Sequence, residues 1–263
     1  MKPLSDFPES VRREIRGVFL DIDDTLTSDG RLTAAAYTSL ERLQRADKLV
    51  VPVTGRPAGW CDHMARMWPV GGIIGENGGF YFRYDYNARQ MIRRYHMDDQ
   101  TLARNRGKLE LVGNEIVAAV SGAAIAADQR YRETDLAVDF REDVKELNRS
   151  SVENIVGMMK KAGMTTKVSS IHVNGWFGNH DKLTMIRCFL TEEFGIDIEL
   201  EKERFIFVGD SPNDQPAFEY FPNAVGVANV ADFSDELVFA PAYVTEARAG
   251  EGFSELIRFL LED

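Results

Sequence analysis

The chain has 263 residues, 44% of them apolar, and 31 Lys and Arg stand against 42 Asp and Glu for a formal net charge of −11. That length holds a sizeable core with room for an inserted smaller domain, while the acid excess argues against a nucleic-acid partner, whose backbone demands a basic surface. No apolar run approaches the ~20 residues that cross a bilayer, and the start of the chain carries no apolar secretion segment, so no membrane partner is expected and the expected location is cytoplasmic. The two cysteines, Cys61 and Cys188, lie far apart without metal-ligand spacing and read as reduced thiols on helices.

In chain order, residues 9–15 make a short helical candidate. Gly17-Val-Phe-Leu20 is a short apolar run of β-branched and aromatic character, which predicts a buried parallel strand delivering Asp21 to its carboxyl end. Open α/β sheets place their ligand crevice at that end. Residues two apart on extended chain point the same way, so Asp21 and Asp23 address one ligand while Ile22 faces inward. Two crowded carboxylates repel unless a dication separates them and one keeps its proton. The spacing of Ala36, Leu40 and Leu43 predicts a helix over 33–43. Val50-Val-Pro-Val53 is a second buried strand, ending at Thr54-Gly55-Arg56-Pro57, where a hydroxyl, a permissive backbone and a guanidinium meet at one turn and suit phosphate. A helix follows over 57–67, then a strand, a glycine turn and a strand from Ile73 onward. Glu76 or Asn77, in that turn, is placed to meet substrate when a second domain closes.

The middle of the chain changes character. It predicts a helix over 108–127, a strand over 136–140, a helix over 152–162 ended by Gly163, and one or two strands over 166–177. On a strand His172, Asn174 and Trp176 share one face, which sets hydrogen-bonding groups beside an aromatic plane and suits a sugar; the plainer alternative is the half-exposed side of a strand whose other face packs inward. His63, His96 and His180 have no partners at metal spacing and read as surface or loop residues. Lys182 opens the helical spacing Leu183, Ile186, Phe189, Leu190, which puts an ammonium near a helix start where it can neutralise a phosphoryl oxygen. Phe205-Ile-Phe-Val208 is a third buried strand and runs into Gly209-Asp210, with Asn213 and Asp214 on the same loop; Asp210 is a hard oxygen donor of the kind magnesium takes. A helix over 217–221, strands near 224–228 and 243–245, and a final amphipathic helix complete the strand and helix alternation of a doubly wound sheet.

Each motif alone is an ordinary turn or cap; the four in this order, three of them after strand signals, carry more. On Asp21-Ile-Asp23-Asp-Thr25, Thr54-Gly55-Arg56, Lys182 and Gly209-Asp210-Ser-Pro-Asn213-Asp214 the chain resembles a haloacid dehalogenase superfamily phosphatase. The place of the middle segment resembles the large cap of that superfamily's type-IIB branch, which includes sucrose, trehalose-phosphate and mannosylglycerate-phosphate phosphatases. The resemblance implies an α/β core with a doubly wound, mostly parallel sheet from residues 1–83 and 179–263, and an inserted α+β cap from 84–178. It implies that Asp21 is the nucleophile that becomes a phosphoaspartate and that Asp23 is the general acid and base. Thr54 and Lys182 would hold the phosphoryl oxygens, with Gly55, Arg56 and Asn213 beside them, and His172, Asn174 and Trp176 would meet the leaving group. Mg2+ would be held by the Asp21 carboxylate, the Asp23 backbone carbonyl and Asp210, with Asp214 in or next to that set. Two positions depart from the pattern: Asp24 stands where many relatives carry Gly, and Leu183 follows Lys182 where Gly is frequent. The expected function is a magnesium-dependent phosphomonoesterase acting on a small phosphorylated metabolite, a sugar phosphate first. A phosphomannomutase-like phosphomutase and a non-catalytic phosphometabolite-binding protein are the alternatives. The sequence sets no oligomeric state.

Overall fold

The computed structural model describes residues 1–169 and 171–261. Six parallel strands form the main sheet in the spatial order Lys2–Pro3, Tyr243–Val244, Val225–Gly226, Phe205–Gly209, Gly17–Leu20 and Leu49–Pro52. The central pair aligns Phe205 with Gly17 and Val208 with Leu20, and both strands are buried end to end. Burial on both faces is why they read as unbroken apolar runs. Their side chains alternate: Val18, Leu20, Ile206 and Val208 join Leu40, Leu43 and Leu256 on one face, while Phe19, Phe205 and Phe207 join Phe189, Phe218 and Phe221 on the other. Gly17 is required by the tight approach of the neighbouring strands, since a Cβ there would lie 2.9 Å from both the Leu49 carbonyl oxygen and the Phe205 ring. Thr33 caps the helix Ala34–Arg45 by accepting from the Ala36 N–H. The α/β class with a parallel sheet is as expected.

Two antiparallel sheets flank this core. Ile73–Gly75, Phe80–Asp85 and Gln90–Tyr95 form the first, which packs on the helix Ala58–Met67 through Phe80, Phe82, Cys61 and Met64. Ala124–Ile125, Asp135–Asp139, His172–Trp176 and Thr165–Val168 form the second in that order. Leu136, Val138 and Val173 pack with Leu109, Ile116, Ile155 and Met159, from the helices Asp99–Ala119 and Arg149–Lys161. By register the opposite face carries Asp135, Asp139, His172, Asn174, Trp176 and, paired with Asn174, Lys167.

The structure differs from expectation at two places. The helix expected over 108–127 is Asp99–Ala119: the Asp98 carboxylate caps it by accepting from the Thr101 N–H, and the chain turns through Gly122 at φ +88° soon after its end. The strand Gln90–Tyr95 went unread because its apolar alternation is broken by Arg93 and Arg94. The stretch 166–177, expected as one or two strands, is two, folded back on each other; Ser170 within it lies outside the described residues. The hairpin 80–95 pairs with Ile73–Gly75 and packs on the helix Ala58–Met67. We therefore propose that the cap begins near residue 96 rather than 84 and ends near 178. No helix among the described residues is long and apolar enough to cross a membrane.

Candidate active site

Asp21 and Asp210 leave adjacent strands at the same end of the sheet, and the Asp21 N–H donates to the Val208 carbonyl at 2.9 Å. Lys182 stands in the first turn of the helix Lys182–Phe194, which Asp181 caps by accepting from the Thr184 N–H. From there its Nζ donates to Asp21 Oδ1 at 2.9 Å, to Asp214 Oδ1 at 2.8 Å and to Asn213 Oδ1 at 3.4 Å. The other Asp214 oxygen accepts from the Asp210 N–H at 3.2 Å. Asp210 itself accepts from Thr25 Oγ1 at 3.0 Å and from Asn229 Nδ2 at 3.3 Å.

Asp21, Asp210 and Asp214 are all buried, and one oxygen from each lies within 4.8 Å of the others. Burial pushes the Asp21 carboxyl up to about 7 against the pull of Lys182, with Asp214 and Asp23 adding repulsion. It pushes Asp210 up to about 9, helped by Asp214 and Asp21. Burial works against the Lys182 ammonium, and Asp21 and Asp214 outweigh it and hold its pKa above the ordinary value. Three carboxyl groups with one ammonium leave this floor short of positive charge. The donors nearest the gap are hard oxygens without Cys or His, a set that fits Mg2+.

Asp23 sits at the edge of this group. Arg56 grips it in a fork, Nε donating to Oδ2 at 3.0 Å and Nη2 to Oδ1 at 2.7 Å. The same guanidinium lies 4.7 Å from the Trp60 ring centre and 3.6 Å from Glu142 Oε1 of the cap. Glu142 Oε2 lies 2.9 Å from His172 Nε2, off the direction of a hydrogen bond. A line of contacts thus runs from Asp23 through Arg56 and Glu142 to His172, whose burial favours the neutral ring, from core to cap. Thr54 is buried beneath Gly55 and Arg56, which line the cleft; its hydroxyl oxygen accepts from the Arg56 N–H at 3.0 Å. Asp24 adopts φ +57°, a region glycine enters freely and Asp tolerates better than most residues, which accounts for the departure there. Leu183 packs against the core cluster around Phe189.

The cleft encloses about 870 Å³ between the ends of the main sheet and the polar face of the cap sheet. Asp21, Asp23, Lys182, Asp210 and Asn213 line it from the core, and Lys167, His172 and Asn174 from the cap. Trp176 does not line it. Its ring stacks on His180 with centroids 5.5 Å apart, its Nε1 donates to the His180 carbonyl, and it borders a smaller chamber of about 340 Å³ that shares Lys167 and Lys182 with the cleft. His180, read as a surface or loop residue, lies in the loop before the helix Lys182–Phe194 and is 2% exposed, because the chain after the strand His172–Trp176 folds its ring under Trp176.

Of the two residues expected to meet substrate, Asn77 lines the cleft and Glu76 does not. The Glu76 carboxylate, fully buried on a residue at φ +44°, accepts from the Ala58, Glu133, Thr134 and Asp135 N–H groups and from the Thr134 hydroxyl. It therefore fastens the cap to the core and has no free face for substrate. Arg132 does the same from the cap side, donating to the Gly55 carbonyl at 3.0 Å while paired with Asp128 and Asp135 at 2.9 and 3.0 Å.

A sequence profile described as haloacid dehalogenase-like hydrolase matches residues 18–170. The chain belongs to the haloacid dehalogenase-like hydrolase family. A phosphoglycolate phosphatase of Methanobrevibacter smithii is 27% identical over 257 residues, covering 94% of this chain and 99% of its own. A crystal structure from Thermoplasma acidophilum superposes with a TM-score of 0.72 at 18% identity, over 94% of this chain and 98% of that one. The sucrose-phosphatase of Synechocystis sp. PCC6803, solved with sucrose and phosphate, gives 0.63 at 15% identity over 93% and 97%. At these identities the solved structures share the fold, and the expected enzyme class, a phosphatase of the haloacid dehalogenase-like family, stands.

Several residues of this haloacid dehalogenase-like site escaped the sequence reading. Thr25 and Asn229 orient Asp210, Glu142 links Arg56 to the cap, and Lys167 lines the cleft opposite Lys182. Lys167 had a usable signal: it lies on a strand whose partner strand carries Asn174. Glu142 stands in a polar loop and Asn229 on the short 3-10 turn Ala228–Phe233 among apolar neighbours, and neither had one.

Proposed function

We propose that this chain is a magnesium-dependent phosphatase that hydrolyses the phosphomonoester of a small metabolite through a phosphoaspartate at Asp21. The observation that carries this reading is the convergence of Asp21, Asp210 and Asp214 on one point, with Lys182 bridging Asp21 to Asp214.

An Asp21 carboxylate oxygen attacks phosphorus as the ester P–O bond breaks, and Asp23 gives its proton to the departing alkoxide. Asp23, again a carboxylate, then takes a proton from the water that attacks the phosphoaspartate, which releases phosphate and restores Asp21. Lys182, with the Thr54 hydroxyl and the Gly55 turn, holds the phosphoryl oxygens as charge builds on them. Arg56 is committed to Asp23 and aims it. Asp214 spends both oxygens on Lys182 and the Asp210 N–H, so its part is to fix those two groups. Bound Mg2+, held by the Asp21 and Asp210 carboxylates and the Asp23 carbonyl, would supply Lewis-acid stabilisation of the phosphoryl oxygens.

Selectivity rests on contacts to the leaving group. Relatives named for phosphoglycolate and a fold neighbour named for sucrose phosphate both act on small phosphorylated metabolites, and that is the class proposed here. His172 and Asn174 face the cleft, but Trp176 faces the side chamber, so the aromatic plane that favoured a sugar is not offered there.

Release of p-nitrophenol from p-nitrophenyl phosphate with magnesium tests the reading. Chelation should abolish turnover and magnesium should restore it. Full activity in excess chelator, or rescue by zinc alone, would refute the metal assignment, and no turnover of any phosphomonoester would refute the enzyme.

A further inference from the structure

We propose that Lys167 is a specificity-determining residue whose ammonium binds a carboxylate on the leaving group, so that the substrate is the phosphate ester of a short hydroxy acid. This rests on the reading of the cleft as a phosphatase site.

The polar face of the cap sheet settles almost all of its charges internally. Asp135 accepts from Arg132 and from Asn174 Nδ2 at 2.9 Å. Asp139 accepts from the Arg141, Glu142 and Asp143 N–H groups at 2.8 Å each. Arg132 is pinned by Asp128, Asp135 and the Gly55 carbonyl. His172 lies against Glu142. Lys167 is the exception: half-buried on the same face, it has no hydrogen-bond or ion-pair partner among the described residues. It lines both the cleft and the side chamber, as Lys182 does.

Burial and the neighbouring Lys182 ammonium disfavour the charged form of Lys167 more than the Asp214 and Asp181 carboxylates favour it. A lysine held half out of water beside another cation is unfavourable in the empty cleft, and an incoming anion removes that cost. The phosphoryl group already has Lys182 on the core side. Lys167 reaches the cleft from the cap, the side that meets the leaving group. A neutral sugar hydroxyl would leave its charge unbalanced; a carboxylate would neutralise it with a charge-assisted hydrogen bond.

The test compares kcat/KM for 2-phosphoglycolate with that for 2-hydroxyethyl phosphate, which replaces the carboxylate by an uncharged CH2OH, in the wild type, Lys167→Gln and Lys167→Arg. The wild type should prefer the carboxylate ester by at least about tenfold, the worth of one hydrogen bond to a charged group. Lys167→Gln should bring the ratio close to one, mainly through KM for phosphoglycolate, and Lys167→Arg should keep most of it. A wild-type ratio near one, or a ratio unchanged in Lys167→Gln, overturns the proposal. So does an equal fall on both substrates, which would assign Lys167 to the phosphoryl group. If Lys167→Gln fails to fold, the wild-type ratio and Lys167→Arg still decide. Turnover of p-nitrophenyl phosphate by the wild type separates the two levels: turnover without carboxylate preference sinks only this inference, while no turnover sinks the phosphatase reading beneath it.

Discussion

On the floor of the cleft three buried carboxyl groups, Asp21, Asp210 and Asp214, share the single ammonium of Lys182. At its roof Asp128 and Asp135 share the guanidinium of Arg132, and Asn174 and the backbone around Glu76 fill the remaining bonds. The same residue types thus serve two ends. With Glu76 the roof too sets three carboxyl groups against one cation, but backbone N–H groups, Thr134 and Asn174 surround its oxygens and tie cap to core, whereas the floor opens onto the cleft, where the proposed mechanism seats a cation and a phosphoryl group. Glu76 and Arg132 serve the first end and the Asp21 group the second, although all are buried to a similar degree.

The largest effect that follows from this contrast is at Asp21. Asp21→Asn keeps the shape but removes the attacking charge and one carboxylate from the crowded floor, so turnover of p-nitrophenyl phosphate should fall by at least ~10³-fold. Because burial, Asp214 and Asp23 together disfavour the removed charge more than Lys182 favours it, the variant should be no less stable than the wild type. Near-normal turnover in the folded variant would sink the mechanism, and a large loss of stability would show that the floor is structural like the roof.

Breaking the roof should act the other way. Arg132→Leu leaves Asp128 and Asp135 buried without their partner, and removal of one side of a buried pair costs about 3–5 kcal/mol. Urea unfolding should show that loss, accompanied by a smaller fall in turnover as the Gly55 carbonyl loses its donor. A change under about 1 kcal/mol would mean that Arg132 contributes little to holding the cap, since even exposed ion pairs reach that value.

The contrast also explains what the sequence disclosed. Asp21, Lys182, Asp210 and Asp214 were legible because each stands where a regular element starts or ends, and the period of that element fixes its direction. Glu76, by contrast, finds its partners at residues 133–135, 57 to 59 positions away, so no local pattern announces the contact. Period-two reasoning put His172, Asn174 and Trp176 on one face, which the register shows. It had no means of telling which part of that face opens to the cleft and which to the chamber, because that depends on His180 folding beneath Trp176. The helix Asp99–Ala119 was misplaced for a simpler reason: its cap, Asp98, is followed by Asp99 and Gln100, and the apolar stripe becomes clear only near Leu109.

The chamber wall shows a third way to place a titratable group, which is to keep it uncharged, and it carries the smallest predicted effect. His180 is buried, neither ring nitrogen has a hydrogen-bond partner among the described residues, and its ring lies against Trp176 and 4.9 Å from His96. Burial, with His96 adding to it and Asp181 opposing, lowers its pKa from 6.5 to about 4. The folded protein therefore keeps His180 neutral where the unfolded chain would protonate it. Its contribution is fully present above about pH 6.5 and is lost as the pH falls toward 4, since only the unfolded state takes up the proton in that window. At pH 5 the loss amounts to about 2 kcal/mol. His180→Phe keeps a flat ring under Trp176 and cannot protonate. The stability difference between variant and wild type, measured by urea unfolding at pH 7 and pH 5, should shift by that amount in favour of the variant at the lower pH. Other acid-sensitive groups cancel in the comparison, because both proteins carry them. The same difference at both pH values would mean that His180 reaches solvent or a partner when protonated, and the chamber would then have to be open to water on the side of His96.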